Sequence, residues 1–203
     1  MPWRPRVALI EELLGELDRR WRPTGEGKIR LCVIGSAALV LQTKYDRGTK
    51  DGDVLETQDI TAEVKQKLLA IAGKGTDIHA RFKIYLDVVA GGLPLLPLKP
   101  VFHPVAGLSR LRYFDVLALD VVDVVVSKLI RFSADDEGDV RAMSGLGLFG
   151  HKRLVKRFGE AIDHFQLDAR AEELPVIIKN LNKVERDYLR AVPSKFDLPE
   201  WLG

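Results

Sequence analysis

"VIGSAALVLQTKYDRGTKDGDVLET", residues 33–57, contains the features that decide the fold. It continues an apolar, β-branched run that stops at Gly35, and this run predicts a buried strand over residues 29–35. The small and apolar residues from Ser36 onward predict a short helix. A charged turn then leads to an Asp-Gly-Asp triplet at 51–53, which opens a second apolar run. The stretch therefore predicts a strand, a helix and a second strand.

Four further segments before residue 120 have the periodicity of regular structure. Two have apolar residues at helical spacing, and the second of these starts close to Thr61 or Asp59, either of which is a favourable helix cap. The other two are apolar segments separated by a proline-rich link, and the first of them alternates with the period of a strand. The predicted helices are 6–21 and 60–73, and the predicted strands are 81–92 and 111–119.

The pattern changes after residue 119, where only helical spacing is found. Four helices are predicted within 120–132, 135–147, 151–165 and 171–192. Strands and helices mixed in the first half and helices alone in the second predict an α+β protein: a short mixed β-sheet flanked by helices, with a helical C-terminal half. The predicted domains are residues 1–119, an α/β core with the N-terminal helix, and residues 120–203, a helical region packed on that core.

The composition excludes several classes of protein. With 46% hydrophobic and 30% charged residues, the chain of 203 residues has the composition of an ordinary globular protein. No apolar run reaches the roughly 18 residues of a membrane span, and the N-terminal segment predicts an amphipathic helix instead of a signal peptide. Cys32 is the only cysteine, which excludes disulfides within the chain and favours a cytoplasmic location. The four histidines have no metal-ligand spacing, so they are predicted to be ordinary residues.

Gly35 and Ser36 lie where the first strand gives way to a helix. Glycine permits close backbone approach, and the amides at a helix N-terminus attract anions such as a triphosphate. The alternative is that Ser36 is an ordinary N-cap.

Three aspartates are candidate metal ligands. Asp51 and Asp53 are two residues apart, so both side chains lie on one face of an extended strand, where a hard divalent ion such as Mg²⁺ could accept their oxygens. Exposed turn aspartates are the alternative. Asp87 lies in an otherwise apolar strand and would join them if its strand pairs beside theirs; the alternative is a salt bridge to Lys83 or Arg81.

These motifs, in this order, resemble a known superfamily. Gly35-Ser36, then Arg47-x-Thr49-Lys50-Asp51-x-Asp53, then Asp87 on a later strand look like the nucleotidyltransferases of DNA polymerase β type. A helical lysine followed by an Asp-x-x-Asp pair, here Lys128, Asp136 and Asp139, resembles the small bacterial branch that includes AbiEii-like toxins of toxin–antitoxin systems. The similarity covers residues 29–140.

The resemblance implies a minimal nucleotidyltransferase fold and transfer of a nucleoside monophosphate from an NTP to an acceptor hydroxyl. It implies Mg²⁺ or Mn²⁺ as cofactor, tRNA or another RNA as one acceptor, and a cognate antitoxin as partner. A protein or small-molecule hydroxyl, or a silent nucleotide-binding or partner-binding role, are the alternatives. The implied roles are metal binding by Asp51, Asp53 and Asp87, acceptor activation by Asp87, nucleotide binding by Gly35, Ser36, Arg47 and Lys128, and positioning by Asp136 and Asp139.

Two residues depart from the superfamily pattern. Gly52 stands where an apolar residue usually separates the two acids, and glycine weakens a strand locally. Asp135 replaces an arginine that often follows the lysine motif. From its own helix, Lys128 is predicted to lie at the border of an apolar face, from which its ammonium reaches either a cleft or water. Ser133 and Asp136 also have the spacing of a capping box.

Residues 151–158 form the most basic stretch of the chain, which has a formal net charge of only +2. Clustered cations create a local field that the net charge conceals. The residues predicted to contact nucleic acid are Lys152, Arg153, Lys156 and Arg157. A merely solvated helix face is the alternative.

Overall fold

The apolar run after residue 28 forms β1 (Ile29–Val33), the central strand of a five-stranded mixed sheet. The other strands are β2 (Asp51–Leu55), β3 (Tyr85–Val89), β4 (Phe102–Pro104) and β5 (Phe114–Leu119). Their order across the sheet is β3-β2-β1-β5-β4. β1 is parallel to β5 and antiparallel to β2, whereas β2 and β3 are parallel to each other. The predicted α+β class with a short mixed sheet is thereby confirmed.

The structure is a computed structural model that describes residues 6–23, 26–43, 45–90 and 95–196. The chain divides into two compact units. Unit 1 comprises residues 1–92 and 102–119, and unit 2 comprises residues 93–101 and 120–203. The boundary in the sequence prediction also falls after residue 119, but that prediction assigned 93–101 to the first domain.

The helices of unit 1 are α1 (Arg6–Arg20), α2 (Gly35–Gln42), α3 (Ala62–Ala72) and α4 (Asp77–Phe82). The apolar stripe of α1 is fully buried, and Trp21 packs edge-on against Phe114 of β5. Thr61 caps α3 by accepting a hydrogen bond from the Val64 amide. Three predicted helices of this unit are therefore confirmed, including one of the two proposed caps.

The strand predicted over 81–92 is shorter in the structure, because its first residues belong to α4. Thr76 caps that helix, and Lys83 ends it in the left-handed conformation with φ +58°. The chain then enters β3 at Tyr85. Neither α4 nor the three-residue strand β4 was predicted.

The helices of unit 2 are α5 (Val121–Lys128), α6 (Ala134–Gly145), α7 (His151–Phe165) and α8 (Leu174–Lys183), followed by a π-helical turn (Val184–Tyr188). All four predicted helices are confirmed, and Pro175 lies in the first turn of α8, where its missing amide costs nothing. The Val101 amide donates to Asp123 Oδ2 at 2.8 Å, and Arg157 donates to the Lys99 carbonyl. These bonds explain why residues 93–101 belong to this unit.

Within the described residues, no helix combines the length and the apolar character needed to cross a membrane.

Candidate active site

Four polar side chains form a square on one face of the sheet in unit 1. Asp53 of β2 lies opposite Asp87 of β3, and Asp51 lies opposite Tyr85. Residues two apart in a strand share a face, and neighbouring strands lie about 4.8 Å apart. The sequence left open whether the strand of Asp87 pairs beside that of Asp53. The structure shows that it does.

Tyr85 completes this square, although nothing in the sequence singled it out. Partial desolvation and the charges of Asp51, Asp87 and Asp53 raise the pKa of the Tyr85 hydroxyl. The phenol is therefore neutral at physiological pH and can donate a hydrogen bond. The carboxylates of both strands act electrostatically on this one side chain, as expected for a cluster.

Gly35 brings the turn after β1 against Asp53. Its φ of +62° lies in the left-handed region, and a Cβ added to it would lie 3.3 Å from Asp53 Oδ2. The preceding amide, that of Ile34, donates to the Asp53 carbonyl at 2.9 Å. Glycine thus meets two requirements here, the backbone conformation and the close approach to a carboxylate. The first motif of the sequence and the Asp-Gly-Asp triplet belong to one site.

The N-terminus of α2 begins beside that carboxylate, and no described side chain caps it. Ile34 is the cap residue, and Ser36 already lies inside the first turn. The alternative that Ser36 is the N-cap is therefore wrong. Arg47 Nη1 instead donates to Ser36 Oγ at 3.3 Å, so a cation also lies at this helix end. Uncapped amides together with a guanidinium suit an anionic ligand.

Thr49 fixes the start of β2. This buried side chain donates from Oγ1 to the Asp51 carbonyl at 2.8 Å, and it lies 3.2 Å from Asp51 Oδ1. It therefore orients the carboxylate of the residue that opens the strand.

Asp87 makes no ion pair within the described part of the chain. Its Oδ1 accepts a hydrogen bond from the Val88 amide at 2.8 Å, and the side chain is exposed. Arg81 lies closest to Glu16, at 3.8 Å. The alternative of a salt bridge from Asp87 to Lys83 or Arg81 is therefore wrong.

The residues present fit a divalent cation that is shared with a substrate. Among the residues that the structure describes, no three His, Cys, Asp or Glu side chains form a ready-made metal cage. Mg²⁺ is ordinarily held by one or two carboxylates plus substrate phosphates, and the opposed pair Asp53 and Asp87 beside the Gly35 cradle meets that requirement.

A cleft of about 560 Å³ adjoins the carboxylates in unit 1. Asp51 and Tyr85 contribute to its wall, so it shares two members of the square. The remaining lining residues are Gly48, Thr49, Lys50, Lys74, His79 and Lys83. Sequence reasoning missed this cleft because its residues come from three separate segments.

Lys128, Asp136 and Asp139 form a buried cluster in unit 2. Lys128 Nζ lies 3.0 Å from Asp136 Oδ1 and 2.8 Å from Asp139 Oδ2, and all three side chains are less than 10% exposed. Burial opposes ionisation of Asp136, but hydrogen bonds from Arg131, Ser133 and Lys128 hold the pKa of its carboxyl well below the usual range. Ser133 and Asp136 also form the predicted capping box. Two carboxylates therefore hold the ammonium of Lys128 inside its own unit.

The four basic residues of α7 are not equally available for nucleic acid. Arg157 is only 14% exposed and holds Asp123, while Arg153 donates to Asp120 at 2.8 Å. Lys152 and Lys156 are exposed, and Lys156 lies 3.9 Å from Glu160. Arg157 therefore serves the internal structure of unit 2, whereas Arg153 is 53% exposed, and nucleic-acid contact stays a prediction for the helix.

The mixed sheet, the uncapped helix after β1 and the opposed carboxylates together define the class of the protein as nucleotidyltransferase-like. The chain belongs to the family described as nucleotidyltransferase of unknown function (DUF6036), whose family model matches residues 12–189. This match confirms the resemblance to the nucleotidyltransferase superfamily. No match was found among curated proteins or among solved structures.

Proposed function

We propose that the site in unit 1 transfers a nucleoside monophosphate from an NTP to an acceptor hydroxyl. The observation that carries this proposal is the pairing of Asp53 with Asp87 on adjacent strands, with Gly35 lying against Asp53. Two carboxylates from different parts of the sequence meet beside a helix N-terminus that suits phosphate. This combination suits the binding of a nucleotide and the activation of a hydroxyl.

Asp53 and Asp87 would hold Mg²⁺ or Mn²⁺ together with the substrate phosphates, and a role of Asp51 as a third ligand stays a prediction. Such an ion, when bound, neutralises phosphate charge and stabilises the charge that develops during transfer. The amides at the start of α2 and the Arg47 guanidinium would orient the triphosphate from the Gly35 side. Asp87 is exposed and makes no ion pair with a described residue, so it would accept the proton of the acceptor hydroxyl.

The bond changes in this reaction balance. The acceptor oxygen forms a bond to the α-phosphorus, and the bond from that phosphorus to the bridging oxygen of the β-phosphate breaks. Pyrophosphate leaves with the electron pair of the broken bond, and the hydroxyl proton passes to Asp87. The products are the nucleotidylated acceptor and pyrophosphate.

Several finer features rest on the resemblance alone. These are tRNA as acceptor, a toxin-like activity, a cognate antitoxin, and a role of Lys128 toward the nucleotide. The bonds of Lys128 to Asp136 and Asp139 account for its burial without any ligand. Its nucleotide-binding role stays a prediction.

The test uses the full chain with each α-labelled NTP, Mg²⁺ and total cell extract. Wild type is compared with Asp53→Asn and Asp87→Asn. Asp115→Asn is the matched control. Asp115 is an exposed strand aspartate paired with Lys28, and its strand β5 is separated from β2 and β3 by β1. We expect label on a macromolecule with wild type and the control, and none with the two site variants.

Equal labelling by wild type and Asp53→Asn would overturn the proposal. Mg²⁺-dependent NTP binding without transfer to any component of the extract would instead identify a silent nucleotide-binding protein. Treatment of the labelled product with nuclease or protease then separates an RNA acceptor from a protein acceptor.

A further inference from the structure

The cleft beside Asp51 and Tyr85 has a strongly cationic wall. Lys50, Lys74 and Lys83 all line it, and all three residues are exposed. Within the described residues, none of these lysines forms a salt bridge, whereas Lys28 and Lys65 of the same unit are paired with carboxylates. Three ammonium groups outnumber Asp51, the one carboxylate in the wall of the cleft, and the resulting net positive charge favours an anionic ligand.

An aromatic pair lies in the same wall. The rings of His79 and Tyr85 meet edge to face with centroids 5.1 Å apart. The Gly75 amide donates to His79 Nδ1 at 3.0 Å, so Nε2 is the ring nitrogen left to donate. The cleft therefore offers two ring surfaces and two hydrogen-bond donors, the imidazole Nε2–H and the Tyr85 hydroxyl, beside the three cations.

The sheet order places this cleft away from the proposed triphosphate position. Gly35 and α2 follow β1, which lies on one side of β2, whereas Tyr85 belongs to β3 on the other side. Phosphoryl transfer requires the attacking oxygen and the leaving pyrophosphate to lie on opposite sides of the phosphorus. If the triphosphate lies toward Gly35, the acceptor approaches from the side of Tyr85.

We propose that this cleft is the acceptor subsite, and that it binds the single-stranded end of a nucleic acid through backbone phosphates on Lys50, Lys74 and Lys83. This inference rests on the proposed function. Cations that follow a phosphate backbone, combined with aromatic rings for bases, are the chemistry by which proteins bind single strands. An uncharged small-molecule acceptor would need neither the three lysines nor the aromatic pair.

The experiment measures binding of a short fluorescent single-stranded oligoribonucleotide to the full chain over a range of salt concentrations. The cleft variant is Lys74→Gln/Lys83→Gln, which spares Lys50 because it adjoins Asp51. Lys179→Gln/Lys195→Gln is matched in charge and replaces exposed lysines of unit 2. Lys152→Gln/Lys156→Gln tests the competing surface on α7. Mg²⁺-dependent NTP binding is measured on every variant.

We expect the cleft variant to bind the oligonucleotide several-fold more weakly. The slope of log K against log salt should become shallower by about 1.4, since two phosphate contacts are lost and each single-strand contact contributes roughly 0.7. NTP binding should be unchanged, and the Lys179→Gln/Lys195→Gln variant should behave as wild type in both assays.

Three results would overturn the assignment. Loss of oligonucleotide binding only in Lys152→Gln/Lys156→Gln would place the nucleic-acid surface on α7. Loss of NTP binding in the cleft variant would make the cleft a triphosphate site. Absence of oligonucleotide binding by wild type would exclude a nucleic-acid acceptor. By contrast, wild type that binds the oligonucleotide through the cleft but binds no NTP would refute the proposed transfer reaction and leave the subsite standing.

Discussion

Asp53 and Asp87 lie directly opposite each other on the parallel strands β2 and β3, although 33 residues separate them in the sequence. Like charges opposite each other on one sheet face destabilise a sheet. No cation of the described chain pairs with Asp87. The charge of Asp87 therefore faces that of Asp53 without a described cation paired to it, and a bound cation would offset their repulsion.

The first prediction concerns this cost. Replacing Asp87 by Asn removes one of the two opposed charges but keeps an oxygen that can accept from the Val88 amide. In metal-free buffer with chelator, we expect Asp87→Asn to raise the free energy of unfolding by about 0.2–1 kcal/mol. Added Mg²⁺ should stabilise wild type and leave the variant unaffected. Urea unfolding with and without Mg²⁺ measures both effects.

Asp115→Asn serves as the control for this prediction. Its side chain is 61% exposed and its carboxylate lies 3.2 Å from Lys28 Nζ, so its loss removes a weak attraction. The free energy of unfolding of the Asp115→Asn variant should fall slightly or stay the same, and this variant should respond to Mg²⁺ as wild type does. A metal-free Asp87→Asn that is less stable than wild type would contradict the prediction.

The second prediction concerns Gly35. Alanine at this position would combine a left-handed backbone with a Cβ 3.3 Å from Asp53 Oδ2. We expect Gly35→Ala to cost about 1–2 kcal/mol of stability and to abolish Mg²⁺-dependent NTP binding. Unfolding by urea and equilibrium NTP binding are the two measurements.

Gly147→Ala is the control that separates the effect of the left-handed backbone from the effect of the contact with Asp53. Gly147 has a similar φ of +67°, but a Cβ there would meet nothing within 4 Å. This variant should lose comparable stability and retain NTP binding. If Gly35→Ala also retained full NTP binding, the close approach of Gly35 to Asp53 would have no functional role.

Much of the fold could be predicted because periodicity and caps are local signals. The helices of unit 2 and the strands β1 and β2 follow directly from apolar spacing. The helix α4 has only six residues, and its last turn merges with the alternation of β3, so the pattern concealed its C-terminal end. The strand β4 has three residues and includes Pro104, which is too short for a period to be recognised.

The candidate site likewise has one part that could be predicted from local sequence signals and one part that could not. Gly35, Asp51, Asp53 and Asp87 could be chosen from residue type and order. Their pairing depends on which strand lies beside β2 and in what register, and no local signal carries that information. Tyr85 joins the site only through this register.

The third prediction concerns the buried cluster in unit 2. Replacing Lys128 by Met would leave Asp136 and Asp139 without their shared cation in a site where both are at most 2% exposed. We expect a loss of up to about 3–5 kcal/mol, because breaking a buried pair by removing one partner leaves the buried carboxylates without that cation. Chemical unfolding followed by circular dichroism measures it.

The control and the rescue sharpen this prediction. Lys179→Met alters an exposed lysine and should change stability by less than about 0.5 kcal/mol. Lys128→Met/Asp139→Asn should regain part of the loss, since the charge of Asp139 is gone and Asp136 keeps its hydrogen bonds from Arg131. A Lys128→Met variant as stable as wild type would show that the cluster does not need the ammonium. It would then favour the predicted role of Lys128 in nucleotide binding.

The fourth prediction is a pH dependence at Tyr188. Partial burial and a hydrogen bond to Glu137 raise the pKa of Tyr188 to about 12, above the value of about 10 expected in the unfolded chain. A pKa raised by folding contributes stability that is complete below pH of about 10. That contribution is lost as pH rises through about 12.

Urea unfolding between neutral and alkaline pH measures this dependence. The stability difference between wild type and Tyr188→Phe should be constant up to pH of about 10 and then decrease. Tyr113→Phe is the control, because the Tyr113 hydroxyl has no hydrogen-bond partner among the described residues, so its difference from wild type should not follow this course. A difference for Tyr188→Phe that stays constant through pH 12 would refute the assignment.

The fifth prediction concerns Gly52, the departure from the superfamily pattern between the two acids. Gly52 lies opposite Leu86 of β3, and an added Cβ would lie 3.2 Å from Leu86 Cδ2. Leu86 therefore occupies the space that an apolar side chain at position 52 would fill. We expect Gly52→Val to destabilise the protein by about 1–3 kcal/mol through overpacking.

A double-mutant cycle decides whether Leu86 is the cause. Leu86→Ala alone should cost about 2–5 kcal/mol, because a buried leucine is lost. Since valine then fills part of the vacated volume, Gly52→Val/Leu86→Ala should be more stable than the sum of the single effects predicts, by at least about 0.5 kcal/mol. Additive effects would mean that Gly52 is required by something other than Leu86. If the two substitutions are coupled and the double variant still binds NTP, Gly52 serves only to make room for Leu86 of the neighbouring strand. The face of the sheet that carries the carboxylates would then be intact.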